Sequence, residues 1–328
     1  MFAMFMKPSI TDRVACPPVK PPTCDDLAAK AHGSVADVVR FVCSAMTSRP
    51  DRMRLKSVFV CLAMLAVPAA AAAPLPAPRQ VEIAEGNVTL HAQLYRPDGD
   101  GPFPTVIALH GCGGLAGRSE AVLPRYRDWA EQLLTSGHAV LLPDSYGSRE
   151  LGPQCRIRQH QVQTRRARVA DINAARQWLV QQKWVAKSRI SLIGWGNGAA
   201  ALLWAVRPQM WSRNGEPDFR SAVAFYPDCR TSFGLGWSAR VPTLVLIGAR
   251  DDVTSSSACH QMVDGAHGRS ALAKIVVYPE AYHDFDRANL PLHAVAASDA
   301  DVAERGHIGT DADARKDAQK QVAEWLSR

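Results

Sequence analysis

Short apolar runs recur from about residue 80 onward, separated by longer stretches with a helical rhythm. The runs predict strands at 81–84, 89–95, 105–109, 139–142, 190–193, 222–225, 243–247 and 274–277. The later ones are continuously apolar, as parallel strands buried on both faces require. Between 162 and 182, Val169, Ile172 and Leu179 share one helix face with Trp178 beside them. Near the end, Ala314, Ala318, Val322 and Trp325 form another face, which Thr310 or Asp311 can cap. Alternating strands and helices predict one doubly wound α/β domain over residues 80–328.

The stretch RISLIGWGNGAAALLWAV, residues 189–206, runs from an apolar strand through glycines into an alanine-rich helix. This is the outline of a nucleophile elbow, G-x-Ser-x-G or G-x-Cys-x-G, in which the third position carries the attacking atom. Here that position is Gly196. The same glycines resemble the start of a dinucleotide-binding loop, but the context excludes it. The turn lies late in the domain, its third glycine comes one residue early, and no acidic strand end follows about 20 positions on.

Three further segments follow predicted strands. VIALHGCGGL ends in a glycine-rich turn whose backbone can approach a substrate oxygen. In a hydrolase of this layout, the amides of Cys112 and Asn197 would form the oxyanion hole. TLVLIGARDD places Asp251, better spaced from the strand end than Asp252, where a carboxylate can orient a histidine. IVVYPEAYHDFDR runs out to His283, a candidate general base. Each feature alone is weak: strand-end aspartates commonly cap turns, and lone histidines are commonly structural. Their order along the chain, oxyanion loop, elbow, Asp, His, carries the argument.

Taken together, HGCGGL, LLPDSYGSRE, RVADINAARQWL, RISLIGWGNGAAAL, VPTLVLIGARDD and VYPEAYHDFD resemble the dienelactone hydrolase family across most of residues 80–290. The resemblance implies an α/β-hydrolase fold: a mostly parallel eight-stranded sheet with helices on both faces. It also implies cofactor-free hydrolysis of a small carboxylic ester or lactone. By position, Asp251 is the acid, His283 the base, and Cys112 and Asn197 the backbone donors. Relatives carry Ser or Cys where this chain has Gly196, so covalent catalysis is missing and activity is expected to be impaired. The alternative is a non-catalytic protein that binds a small ligand in the retained pocket. Cys112 and Ser145 are the other side chains that could stand in as nucleophile. Trp195, Tyr146 and Tyr282 are candidates for apolar pocket lining.

Charge and cysteines refine this picture. Of the net +7, residues 1–72 contribute +4, from nine basic and five acidic residues, so the folded body is only mildly basic. Arg156, Arg158, Arg165, Arg166 and Arg168 cluster before and within the 162–182 helix and read as a solvated face. Without interleaved aromatics they do not predict nucleic-acid binding. Residues 53–72 read as a signal peptide, with Arg54 and Lys56 before an apolar core too short to span a bilayer. Cleavage after Ala71 or Ala72 would export the protein to the periplasm or medium without a stable membrane span, leaving 73–79 as a linker. Translation is then expected to start at Met53, with 1–52 an over-called or disordered extension, the alternative being a genuine cytoplasmic extension. Cys112, Cys155, Cys229 and Cys259 remain after the signal, and Cys229 with Cys259 is the favoured disulfide. No cysteine or histidine spacing suggests a metal site.

Overall fold

The computed structural model describes residues 76–328, apart from 118–121, 158, 160, 209–216, 231, 233–235 and 297–304. The signal-like segment 53–72, the stretch before it and residues 73–75 of the linker lie outside the described residues. Everything below belongs to the compact unit Ala73–Arg328. No helix among the described residues is long and apolar enough to cross a membrane.

Eight strands form one sheet: β1 (Arg79–Glu85), β2 (Val88–Tyr95), β3 (Phe103–Leu109), β4 (Ala139–Pro143), β5 (Val185–Trp195), β6 (Ala222–Phe225), β7 (Thr243–Gly248) and β8 (Ala273–Tyr278). Their spatial order is β1-β2-β4-β3-β5-β6-β7-β8. β2 pairs antiparallel with β1 and β4, and every other pairing is parallel. Each predicted apolar run lies within one of these strands. β5 starts earlier than its apolar run because Lys187, Ser188 and Arg189 are exposed polar residues, while Val185 still pairs with Phe103. Every residue of β4, β6 and β7 is buried. Successive side chains point to opposite faces, so both faces of the central sheet are covered.

Among the described residues, the helices between strands are α1 (Pro124–Thr135), α2 (Ala167–Val180), α3 (Asn197–Ala205) and α4 (Ser256–Asp264), and α5 (Ala312–Ser327) follows the last strand. α2 is the helix expected over 162–182, trimmed at both ends. Its Ile172 and Leu179 are fully buried, and Val169 and Trp178 pack at the margin of the core. Asp311 caps α5, its carboxylate accepting from the Ala314 N–H at 2.9 Å. Thr310 is occupied elsewhere, bonding to Leu290 N–H and the Arg287 carbonyl.

Two features depart from the sequence reading. The basic cluster is not uniformly solvated: Arg165 and Arg166 are exposed, Arg158 lies outside the described residues, and Arg168 is 1% exposed. A small hairpin, β9 (His293–Ala296) with β10 (Arg305–Ile308), also follows the sheet. Its four-residue strands carry too few positions to show a period.

Both cysteine pairs are oxidised. Cys229–Cys259 is the expected bond, and Cys112–Cys155 ties the loop after β3 to the segment that leads into α2. The second bond closes a sequence separation of 43 residues. Replacing Cys112 and Cys155 together by Ala is expected to lower stability by about 2–4 kcal/mol. Urea unfolding of the double variant beside the parent checks this.

Candidate active site

β3, β5, β7 and β8 share one direction, so the loops leaving their C-terminal ends meet along one edge of the sheet. That edge is where an open α/β sheet places its ligand crevice. The loops carry His110–Gly114, Gly196, Asp251 and His283 respectively.

Gly196 forms the turn between β5 and α3, at φ 50° and ψ −111°. An L-residue is strained there by about 1–3 kcal/mol, whereas glycine is not. The flanking glycines answer to a different constraint. A Cβ on Gly198 would collide with the Leu109 carbonyl, and one on Gly194 would lie 2.8 Å from the Gly198 carbonyl carbon. The close approach of α3 to β3 and β5 thus demands the two outer glycines. At Gly196 a Cβ would meet only His283 Nε2, at 3.8 Å. The opening left by the missing side chain faces the imidazole.

His283 Nδ1 lies 2.9 Å from Asp251 Oδ2. Asp251 is held in turn by the Val253 and Thr254 amides on Oδ1 and by the Thr254 hydroxyl on Oδ2. Burial depresses the basicity of the imidazole, but the charge and hydrogen bond of Asp251, aided by Asp284, outweigh it and raise the pKa above the ordinary value. Asp252, which also lines the cavity, pairs not with His283 but with His307 of β10, at 2.7 Å.

The glycine-rich loop is pinned from several sides. Gly111 N–H donates to the Tyr126 hydroxyl at 2.8 Å. His110 is fully buried, with Nδ1 against the Gly111 carbonyl and Nε2 accepting from Ser145 N–H. Burial and the nearby Arg168 push its pKa well down, so it stays neutral with its proton on Nδ1. Arg168 spans the two halves of the candidate oxyanion hole. It donates to the His110 carbonyl at 2.7 Å and to Asn197 Oδ1 at 2.8 Å, while Tyr146 also donates to Asn197 Oδ1. Gly111 N–H is committed to Tyr126, and the next amide of this loop is that of Cys112, which lines the cavity described below. The Asn197 amide begins α3, where the helix dipole favours negative charge.

Gly111, Cys112, Gly113, Gly196 and His283 border a cavity of about 570 Å³, and Asn197 and Asp251 stand behind its lining. Trp195 lines it, whereas Tyr146 and Tyr282 do not. Neither candidate stand-in offers a nucleophile to the opening: Cys112 Sγ is in a disulfide, and Ser145 is buried outside the lining. Val295, Gly306 and Ile308 of the β9–β10 hairpin wall one side, and Ile308 bridges to His283. Among the described residues, no group of three or more His, Cys, Asp or Glu is arranged to hold a metal.

A buried polar hub behind the cavity was not visible in the sequence. Asp286 is 0% exposed and accepts three bonds: from Trp129 Nε1 at 2.7 Å, Trp195 Nε1 at 2.8 Å and the Tyr226 hydroxyl at 2.5 Å. Burial raises the Tyr226 pKa well above its ordinary value, which keeps the phenol protonated as a donor. The Tyr226 ring lies 4.3 Å from the His283 ring, centroid to centroid. Arg125 donates to the Tyr226 hydroxyl and pairs with Asp284 at 2.7 Å. Burial pushes the Asp284 pKa up, but Arg125, His283 and Arg287 together hold it below the carboxylate norm. The only sequence trace of this hub is the spacing HDFD, which sets Asp286 three residues after His283.

The profile of the dienelactone hydrolase family matches residues 90–328. The chain belongs to that family. Its fold is shared with solved structures of low identity. A dienelactone hydrolase from Anabaena variabilis is 18% identical at TM-score 0.55, over 77% of this chain and 98% of that one. A dienelactone hydrolase-like promiscuous phosphotriesterase from metagenomic libraries is 19% identical at TM-score 0.59, over 77% and 98%. Esterase 2 of Thermogutta terrifontis is 16% identical at TM-score 0.54, over 76% and 93%. No curated protein matches the sequence. This member of the family keeps the α/β-hydrolase fold and places Gly196 at the strand–helix turn.

Proposed function

We propose that this family member is an exported protein whose cavity takes small carboxylic esters or lactones and hydrolyses them slowly, through water rather than a covalent enzyme intermediate. The observation that carries the reading is the opening at Gly196, which faces Nε2 of a histidine already oriented by Asp251. In this scheme a water in the opening attacks the substrate carbonyl carbon and gives its proton to His283 Nε2. Negative charge develops on the carbonyl oxygen, where the Cys112 and Asn197 amides stabilise it. Collapse breaks the acyl–oxygen bond, and His283 returns the proton to the leaving alkoxide. No cofactor is required.

Export rests on the signal-like segment at 53–72 together with the two disulfides of the folded body, which suit an oxidising compartment.

The test is the pH dependence of aryl-ester hydrolysis by the protein and by Asp251→Asn and His283→Ala. The base works only when neutral. Turnover should therefore rise as pH climbs through the His283 pKa, which lies above 6.5 because of Asp251. Asp251→Asn should lower that inflection, and either variant should cost about 10²-fold or more. Hydrolysis by His283→Ala at the parental rate removes the proposed base.

A second reading, a non-catalytic binding protein, is favoured by the same opening, since glycine supplies no attacking atom.

A further inference from the structure

We infer that the Gly196 opening is a receptor for a small organic carboxylate, one oxygen of which takes the place of the missing side chain and accepts a hydrogen bond from His283 Nε2. The inference rests on the reading above that His283 and the loop amides face the ligand, and it names what that site holds.

The first support is shape. Beyond its chain neighbours, a Cβ built on Gly196 finds no atom of the described residues within 4 Å except Nε2, at 3.8 Å, so an oxygen just beyond it meets the imidazole without displacing any of these groups. A serine or cysteine would occupy this space, which makes the opening a property of the glycine. The surrounding cavity, about 570 Å³, lies within the usual range for small ligands.

The second support is the state of the imidazole. Nδ1 is committed to Asp251, at 2.9 Å, with Thr254 Oγ1 at 3.5 Å. Among the described residues no hydrogen bond is made by Nε2, which is left toward the opening. When the ring is neutral and Nδ1 carries its proton, Nε2 is a bare acceptor and repels a carboxylate. When the ring is cationic, Nε2–H is a charge-assisted donor. The groups facing the ring are Asp251 after β7, Asp284 beside it, Arg125 of α1 and the Tyr226 ring after β6. The two carboxylates outweigh both burial and Arg125, so the cation persists to higher pH than in a free histidine.

The third support is charge. The lining includes Arg125, Arg156 and Arg287 against Asp252 and Asp284. Arg125 and Arg287 share Asp284, and Arg156 makes no ion pair among the described residues. The cavity thus favours an anion. The second carboxylate oxygen can turn toward Cys112 N–H, the position assigned to the carbonyl oxygen during hydrolysis. No bond forms or breaks, and binding is coupled only to uptake of a proton by His283.

The test is calorimetry of the folded protein with benzoate, and with neutral benzamide as its isostere, from pH 5 to 9. Benzoate should bind and benzamide should not. Benzoate affinity should fall about tenfold per pH unit above the His283 pKa. Gly196→Ser should weaken benzoate at least tenfold, because the hydroxyl fills the opening, and circular dichroism checks that this variant is folded. Equal binding of both probes, a flat pH dependence, or undiminished benzoate affinity in Gly196→Ser or His283→Gln each overturns the inference. The pH titration of the parent needs no variant. Aryl-ester hydrolysis by Gly196→Ser beside a parent that ignores benzoate overturns the receptor alone. Benzoate binding with the expected pH signature, beside a parent whose aryl-ester hydrolysis is absent or unchanged in His283→Ala, overturns the catalytic reading and leaves the receptor standing.

Discussion

Gly196→Ser is expected to raise turnover of an aryl ester by about 10³-fold or more, because it supplies an attacking oxygen at the turn position where the proposed hydrolytic set has none. Removing the nucleophile of a serine hydrolase costs about 10⁶ in turnover, while the oxyanion hole and binding alone retain roughly 10³–10⁴ over water. The reverse substitution recovers part of that loss only if the base is within reach. A Cβ at this position lies 3.8 Å from His283 Nε2, and beyond its chain neighbours no other atom of the described residues lies within 4 Å. A serine rotamer directed at the ring therefore brings Oγ into hydrogen-bonding range. The variant pays a backbone cost of about 1–3 kcal/mol at the positive φ, which should appear as a fall of several degrees in Tm. Steady-state kinetics measure the gain, and labelling by a fluorophosphonate, read by mass spectrometry of the peptide containing residue 196, reports the new nucleophile. A folded variant that neither labels nor gains activity would show that Asp251, His283 and the amides do not act as a hydrolytic set.

Asp286→Ala is expected to be strongly destabilising, by about 3–9 kcal/mol. The substitution leaves Trp129 Nε1, Trp195 Nε1 and the Tyr226 hydroxyl without their acceptor in a fully buried setting. Each buried donor left unsatisfied costs about 1–3 kcal/mol. Against a typical total of about 5–15 kcal/mol, this is a large fraction of the stability of the domain. Asp286→Asn should cost less, because the amide oxygen can still accept and the Tyr226 hydroxyl can turn to accept from the amide nitrogen. Urea denaturation of both variants measures the difference. The damage should extend to ligand binding, since Trp195 precedes Gly196 and the Tyr226 ring rests against His283. An alanine variant as stable as the parent would mean that the three donors find new partners.

The hub also makes the cavity wall part polar and part apolar. Trp195 and Phe225 stack at 5.7 Å with an interplanar angle of 16°, and Trp129 packs against both. These rings supply the apolar bulk, while Asp286 fixes their polar edges. Such a network specifies one packing only when every member is satisfied.

The sequence by itself determined the eight strands, their alternation with helices, and the position of each candidate group at a strand end. Burial on both faces is written locally, as an unbroken apolar run, and so is the turn, as glycines that tolerate close approach. The order of loop, elbow, Asp and His was therefore legible without coordinates, as was the empty third position of the elbow. Only the tertiary structure decided which polar groups meet. Arg168 reads as one more member of a basic surface cluster, yet it is buried and bridges His110 to Asn197. Cys112 finds Cys155 because the sheet order brings β3 near the segment entering α2. Asp286 collects donors from α1, β5 and the loop after β6, separated from it by 157, 91 and 60 residues. Apolar periodicity is a local consequence of burial, whereas a buried charge or donor is satisfied by whichever partner the strand order delivers, and no local pattern records that choice.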